Sequence, residues 1–334
     1  MTARDLRLLP KASLHTHLEG CMRPSTLAEL AAGYGIPVPE TRGYGNFGAF
    51  AGLYDAAAQC IKTEDDLRRV VREVVEDAAA DGAVWVEPQL WPHYESPQLA
   101  DAGRILDVAL DEGRTTAARL GVGFGLMVTA IRVLPPEDAE ALAELAVTRA
   151  EAGVVSFGLA HDEVLGPPAP FARAFAVARA GGLVSAPHAG ELLGPDSVRS
   201  ALDDLGAGRI AHGVRAVEDP ALVERLAAER VCLDVCPTSN VLLGVVPSLA
   251  EHPLRQLLEA GVPCSVNTDD SLLFGPGLLE EYETARNGAR PGRRPARHRG
   301  AQRDRGRLAR TGSTGQRGAG ARGGLAGDVT PATT

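Results

Sequence analysis

Ser13-Leu14-His15-Thr16-His17-Leu18-Glu19-Gly20 places two histidines two residues apart, in a chain of 334 residues that holds eight. An extended strand turns successive side chains to opposite faces, so residues i and i+2 point the same way. Read as a strand over residues 13–18, the stretch aims His15 and His17 at one point and turns Leu14, Thr16 and Leu18 away from it. Imidazole is the commonest protein metal ligand, and two on one strand make half of a tetrahedral or five-coordinate zinc site. The plain alternative is two polar residues alternating on a half-exposed strand. The choice depends on whether further ligands lie at the same end of other strands.

Outward from this stretch, apolar strand-like runs alternate with longer amphipathic ones. Strands are expected at residues 13–18, 84–90, 123–129, 154–159, 183–188, 209–212, 231–236 and 263–268, and helical patterns at 66–80, 102–120, 136–152 and 220–230. Eight strands separated by helices predict an α/β fold of the parallel (β/α)₈ barrel type. A doubly wound open sheet is the competing architecture. It lacks its main functional support here, because no glycine-rich dinucleotide fingerprint follows the first strand.

Composition narrows the function classes. No apolar run is long enough to span a bilayer and no basic-then-hydrophobic leader opens the chain, so a cytoplasmic protein is expected. Cys21, Cys60, Cys232, Cys236 and Cys264 are odd in number and form no Cys-x-x-Cys pair, which suits reduced thiols better than a disulfide frame or a thiolate zinc site. The net charge of −9 is unevenly spread. From Arg286 onward twelve arginines face only Asp304 and Asp328, so the body before them is strongly acidic and unsuited to nucleic acid.

Residues 1–285 are therefore read as the barrel and 286–334 as a separate tail rich in Arg, Gly and Ala. The tail has no aromatic residue and almost no large aliphatic ones, so it cannot bury enough apolar surface to order itself. It is expected to be disordered and to stand in place of the last barrel helices. Helical periodicity stops abruptly after Glu283, as if the reading frame had shifted, and resequencing around Arg286 would test that. A metal-binding but inactive product is the corresponding reading of the whole chain.

Three polar motifs fall where the barrel reading ends a strand: His188-Ala189-Gly190-Glu191, Ala211-His212-Gly213 and Asn267-Thr268-Asp269-Asp270. Loops at the C-terminal ends of barrel strands build the active site. His15, His17, His188 and Asp269 then supply three imidazoles and one carboxylate, a donor set that suits zinc with a position left for water. Each motif alone has an ordinary reading, as a helix entry, a core histidine or an N-cap. Their coincidence at strand ends of one architecture favours the site.

His-Thr-His-Leu-Glu-Gly, His-Ala-Gly-Glu, Ala-His-Gly and Asn-Thr-Asp-Asp, in this order, resemble the adenosine deaminase family of the amidohydrolase superfamily. Cys236-Pro237-Thr238-Ser239-Asn240 and Leu159-Ala160-His161-Asp162-Glu163 are also similar to it, and the likeness covers roughly residues 5–285. It implies a zinc-dependent hydrolase that converts the 6-amino group of adenosine or a related aminopurine to the 6-oxo group with release of ammonia. One zinc per chain is implied, because two-metal relatives use a fourth-strand lysine and Lys11 and Lys62 are the only lysines. By the same resemblance Glu191 is the proton shuttle, His212 orients the attacking hydroxide, and Asp270 contacts the hydroxide or the purine N7. Asp269 and Asp270 cannot both face the metal from a regular strand. His17, Glu19, His161 and Asp270 are the expected substrate contacts, His161 through its backbone N–H to purine N3 at a position where the family usually has glycine.

Two departures put the substrate in question. Glu19 stands where adenosine-specific members carry aspartate, and Gln89 stands where arginine is common. The longer carboxylate changes its hydrogen-bonding partner, so adenine or a 5′-modified adenosine is the alternative substrate. Residues 47–54, with Phe50 and Leu53, are expected to form a helical lid after the first strand, or else simply to pack as a helix.

Overall fold

The computed structural model describes residues 5–288. In chain order they form β1 (Lys11–Ser13), α1 (Pro24–Gly33), α2 (Phe47–Ala58), α3 (Glu64–Ala80), β2 (Ala83–Val86), β3 (Gln89–Leu90), α4 (Ala102–Leu120), β4 (Gly123–Phe124), β5 (Leu126–Ile131), α5 (Pro136–Val147) and β6 (Val154–Ala160). There follow α6 (Ala172–Ala180), β7 (Val184–Ser185), β8 (His188–Ala189), α7 (Pro195–Asp203), β9 (Arg209–His212), α8 (Pro220–Glu229), β10 (Cys232–Val235), α9 (Pro237–Leu242), α10 (Leu254–Glu259), β11 (Cys264–Val266), α11 (Ser271–Phe274) and α12 (Leu278–Gly288).

The strands pair in parallel in three runs, β1-β2-β4, β3-β5-β6-β7 and β8-β9-β10-β11. These short strands are eight barrel staves, three of them broken. Proline has no N–H to give to a ladder, and Pro88 and Pro187 interrupt the second and fifth staves, while Gly125 interrupts the third. The proline carbonyls still accept, from Met127 and Ala211 at 3.0 Å each, so the staves continue across the breaks. The last stave returns to the first through His17 N–H to Asp269 O (3.2 Å) and Asp269 N–H to His15 O (3.1 Å). The ring is closed, and the open-sheet alternative is excluded.

The first stave is shorter than the sequence suggests. Regular pairing covers Lys11–Ser13, and the Leu14 and His15 amides instead donate to the side chain of Asn267 at 2.8 and 3.2 Å. Strand alternation therefore does not carry His15 and His17. They sit just past the strand, at the barrel mouth.

Outer helices form as their sequences dictate. In α3, Thr63 caps the first turn in a reciprocal box with Asp66, and Leu67, Val70, Val71, Val74, Val75 and Ala78 make a buried stripe at three- and four-residue spacing. Inside the barrel, Arg209 from β9 meets Glu87 (2.5 Å) and Asp234 (2.6 Å), and Ser156 from β6 donates to Glu87 at 2.7 Å. Side chains from four staves meet in this cluster, so it lies in the barrel interior.

A helix does follow the eighth stave: α12 runs to Gly288, five residues past the point where periodicity was expected to end. Ala285 continues its apolar face against the core around β9, β10 and α8, and alanine and arginine are good helix formers. The expected disorder and frame shift of the tail concern positions beyond 288, outside the described residues. Among the described residues no helix is long and apolar enough to cross a membrane.

Candidate active site

Each expected ligand lies at the C-terminal end of a stave: His15 and His17 after β1, His188 in β8, Asp269 after β11. His15 Nδ1 faces the Asp234 carbonyl at 3.1 Å and His188 Nδ1 faces the Leu159 carbonyl at 3.0 Å. A carbonyl only accepts, so both Nδ1 atoms carry hydrogen, and in the neutral rings a metal requires both Nε2 atoms present lone pairs. His15 Nε2 is buried without a hydrogen-bond partner. It lies 3.3 Å from Asp269 Oδ1, as does His17 Nε2. A lone pair facing a carboxylate oxygen at that distance is repulsive unless something positive lies between them. The donor set therefore fits a cation.

Against the effect of its burial, the Asp269 carboxylate raises His15, as expected of a ring that faces a carboxylate with no cation between them. Burial, reinforced by the neighbouring His15, His17 and His212 rings, pushes His188 well below the usual imidazole range and keeps it neutral. Burial alone would raise Asp269, but His15, His17 and His212 outweigh it and hold the carboxyl well below its ordinary value. Ser239 Oγ donates to Asp269 Oδ2 at 2.6 Å, leaving Oδ1 toward His15 and His17. Ring centroids of His15 lie 5.5 Å from His17 and 4.7 Å from His188.

Distances alone do not select four ligands. Ligand atoms of His15, His188, His212 and Asp269 lie within 4.8 Å of one another, and so do those of His17, Asp269 and Asp270. His212, at the end of β9, is thus a fifth candidate. Its Nε2 is 3.4 Å from Glu191 Oε1 and 3.8 Å from Asp269 Oδ2.

Glu191 is held by an anchor that sequence reading left without a role. Glu163 Oε1 accepts the Gly190 N–H at 2.6 Å, and its Oε2 accepts those of Glu191, Leu192 and Leu193 at 3.1, 2.7 and 2.8 Å. Ser197 closes the same carboxylate. Four successive amides on one buried acid fix the loop that presents Glu191. Buried Arg132 braces it from below through the His188 carbonyl at 2.6 Å. Burial, then the nearby charges of Asp269 and Glu163, push the Glu191 carboxyl well above its usual range, so it holds its proton.

Asp269 and Asp270 both face the cavity, contrary to the expectation for a regular strand. Asp269 has φ +57°, a left-handed turn outside β11 that aligns consecutive side chains. His161, directly after β6, is likewise left-handed at φ +83°, which accounts for glycine as the easier residue there.

The cavity above these groups holds about 240 Å³. Phe47, Phe50 and Tyr54 of α2 form one wall, so the expected lid lies over the site; Leu53 packs in the aromatic cluster behind it. Trp91, Ile131, Leu134, His161 and Gln89 complete the apolar mouth. Glu19 is not on that surface; it lines an adjoining cavity of about 230 Å³ that shares Tyr54, Asp55 and Trp91 with this one. Tyr54 donates to its Oε2 at 2.7 Å and Tyr94 to its Oε1 at 2.5 Å, so both oxygens are taken behind the wall. Burial raises its pKa despite the two phenols.

A Streptomyces coelicolor protein provisionally named adenosine/adenine deaminase is 49% identical over 298 residues, covering 85% of this chain and 87% of that one. The crystal structure of adenine deaminase from Arthrobacter aurescens superposes with a TM-score of 0.76 at 32% identity, over 82% of this chain and 86% of that one. An amidohydrolase from Burkholderia ambifaria, solved with bound zinc, superposes with a TM-score of 0.74 at 28% identity, over 83% and 80%. The adenosine deaminase family itself matches residues 10–294, nearly the whole barrel. With a closed parallel barrel and this histidine–aspartate centre at its mouth, the chain belongs to the adenosine deaminase family.

Proposed function

We propose that the protein is a zinc-dependent aminopurine deaminase, replacing the 6-amino group with oxygen from water and releasing ammonia. One observation carries the reading: inward-facing imidazole lone pairs and the Asp269 carboxylate converge on the floor of a buried, mostly apolar cavity of purine size. His15, His17, His188 and Asp269 would hold a single zinc. When bound, zinc supplies Lewis acidity that brings the pKa of a water to near ~7.

The remaining steps belong to the chain. Glu191, protonated by its surroundings, gives a proton to ring nitrogen N1 as the C6 carbon is attacked, and returns as a base to move a proton to the leaving amine. His212 and Asp270, both lining the cavity, would orient the attacking oxygen. Phe47, Phe50 and Trp91 sandwich the flat ring and exclude bulk water, which strengthens the charges below. The His161 N–H and Gln89 lie on the cavity wall where purine edge atoms need partners.

The position of Glu19 favours the free base over the nucleoside. A carboxylate meant to read a ribose hydroxyl must have an oxygen free for it, yet both oxygens of Glu19, in the adjoining cavity, are taken by Tyr54 and Tyr94. We therefore infer adenine as the better substrate, with adenosine and 5′-substituted adenosines poorer. Ultraviolet assays of the zinc-loaded chain on these three substrates test this. Adenine turnover at least tenfold above adenosine in kcat/KM supports it; the reverse order, or no turnover, contradicts it.

A further inference from the structure

His252 and Asn240 lie outside the cavity wall, and no step above uses them. Yet a chain of hydrogen bonds through them ends on His212. The Leu254 backbone N–H donates to His252 Nδ1 at 3.1 Å. An amide can only donate, so Nδ1 is the bare nitrogen and the neutral ring carries its hydrogen on Nε2. Burial holds His252 down to about 4, so the ring is neutral at pH 7. Its Nε2–H faces Asn240 Oδ1 at 3.1 Å. That contact fixes the rotation of the buried Asn240 amide and turns its NH₂ toward His212 Nδ1, also at 3.1 Å. His212 Nδ1 must then accept, and its hydrogen must sit on Nε2. This is the nitrogen that faces the Asp269 carboxylate at Oδ2 and Glu191 at Oε1, which accepts with the Glu191 proton on its other oxygen.

We propose that Leu254, His252 and Asn240 form a positioning relay that sets the tautomer of His212, keeping it a hydrogen-bond donor at the centre and out of the ligand set. The proposal rests on the metal-dependent reading above and adds two residues to it. The relay matters because the alternative is close at hand. Were Asn240 rotated by half a turn, its oxygen would accept from His212 Nδ1–H and the Nε2 lone pair would point inward. His15, His188, His212 and Asp269 already lie within 4.8 Å of one another, so they would then form a closed four-ligand cage. A closed site of that kind is structural; a catalytic one keeps a position open. His212 Nε2–H instead donates toward the attacking oxygen.

The test is direct observation of the tautomer. The full chain, labelled with ¹⁵N-histidine, is compared zinc-loaded and zinc-stripped by long-range ¹H–¹⁵N correlation, with His212→Gln identifying the signals. The wild type should show a bare Nδ1 and a hydrogen-bearing Nε2 for His212 in both states. Asn240→Asp presents a carboxylate oxygen to both rings and should reverse the pattern at His212. It should lower kcat about 100-fold, with KM within about threefold and one zinc still bound. His252→Phe frees the amide to rotate and should give mixed tautomers with a roughly tenfold loss of kcat. A bare or metal-shifted Nε2 on His212 in the wild type overturns the proposal, as does an unchanged tautomer in Asn240→Asp. Failure of the deaminase reading would show separately, as wild-type protein with the expected tautomer and no turnover of any aminopurine.

Discussion

Gly20 lies directly beneath the Asp270 carboxylate: a Cβ at position 20 would sit 1.6 Å from Oδ1 and 2.5 Å from Cγ. The Asp270 Cβ itself would lie 2.9 Å away, so turning the carboxylate alone does not clear the overlap, and Asp270 faces the cavity above a glycine. Gly20→Ala should displace Asp270 and lower kcat by roughly 100-fold or more, while zinc content stays at one per chain because Asp270 is not among the proposed ligands. Steady-state kinetics with metal analysis checks this; an alanine variant within threefold of wild type would remove Asp270 from the mechanism.

His161 holds a left-handed backbone that costs a β-carbon roughly 1 kcal/mol. His161→Gly should relieve that strain and keep the backbone N–H proposed to meet the purine. The loss of the ring opens the cavity near Phe47, 6.1 Å away, so KM should rise more than kcat falls. A split in the opposite sense would place the imidazole itself in the chemistry.

Arg209 neutralises two buried acids from other staves. Arg209→Met keeps its length but leaves Glu87 and Asp234 facing each other without a cation. Removing one partner of a buried ion cluster costs about 3–5 kcal/mol, so the urea midpoint should fall sharply at neutral pH. A change below about 1 kcal/mol would show that the cluster is hydrated or already protonated.

Glu281 is buried in α12, where it accepts the Thr238 N–H, and burial pushes its carboxyl up to about 7. The folded state therefore holds this proton more tightly than the unfolded chain. Its contribution is fully present below about pH 4.5 and is lost as pH rises through about 7. Glu281→Gln should flatten that part of the stability curve and raise stability at pH 8 by about 2 to 3 kcal/mol. Chemical melts at pH 5 and pH 8 measure it, and equal effects at both values would contradict the assignment.

A bound metal stabilises the fold by mass action. Free zinc at 100 times its Kd should add about 2.7 kcal/mol, and chelation should lower Tm accordingly. His15→Ala or Asp269→Ala should abolish that zinc-dependent increment. Persistence of the full increment in either variant would move the metal elsewhere.

The barrel was legible because every stave pairs apolar residues with a polar end, and that rhythm survives in one sequence. His188, His212 and Asp269 were found for the same reason, each closing an apolar run. The first stave misled in detail. Its alternation suggested a regular strand over His15 and His17, but Asn267, some 250 residues away, takes the place of the ladder there. The same assumption of regularity set Asp269 and Asp270 on opposite faces, which the left-handed Asp269 breaks. Glu163, quoted in a motif but given no role, clamps four amides that are brought to it by the barrel's closure. Asn240 was likewise quoted in a motif without a role, while Arg132 and His252 act through carbonyls, amides and ring nitrogens of other segments, and such partners leave no local pattern.

The most direct test is titration of the metal-stripped chain with zinc while adenine conversion is followed by ultraviolet absorbance and ammonia release. The account predicts no turnover without metal, a linear rise to one zinc per chain, and a plateau beyond it. Turnover by the metal-free protein, or a rise that continues to two zinc ions, would contradict it.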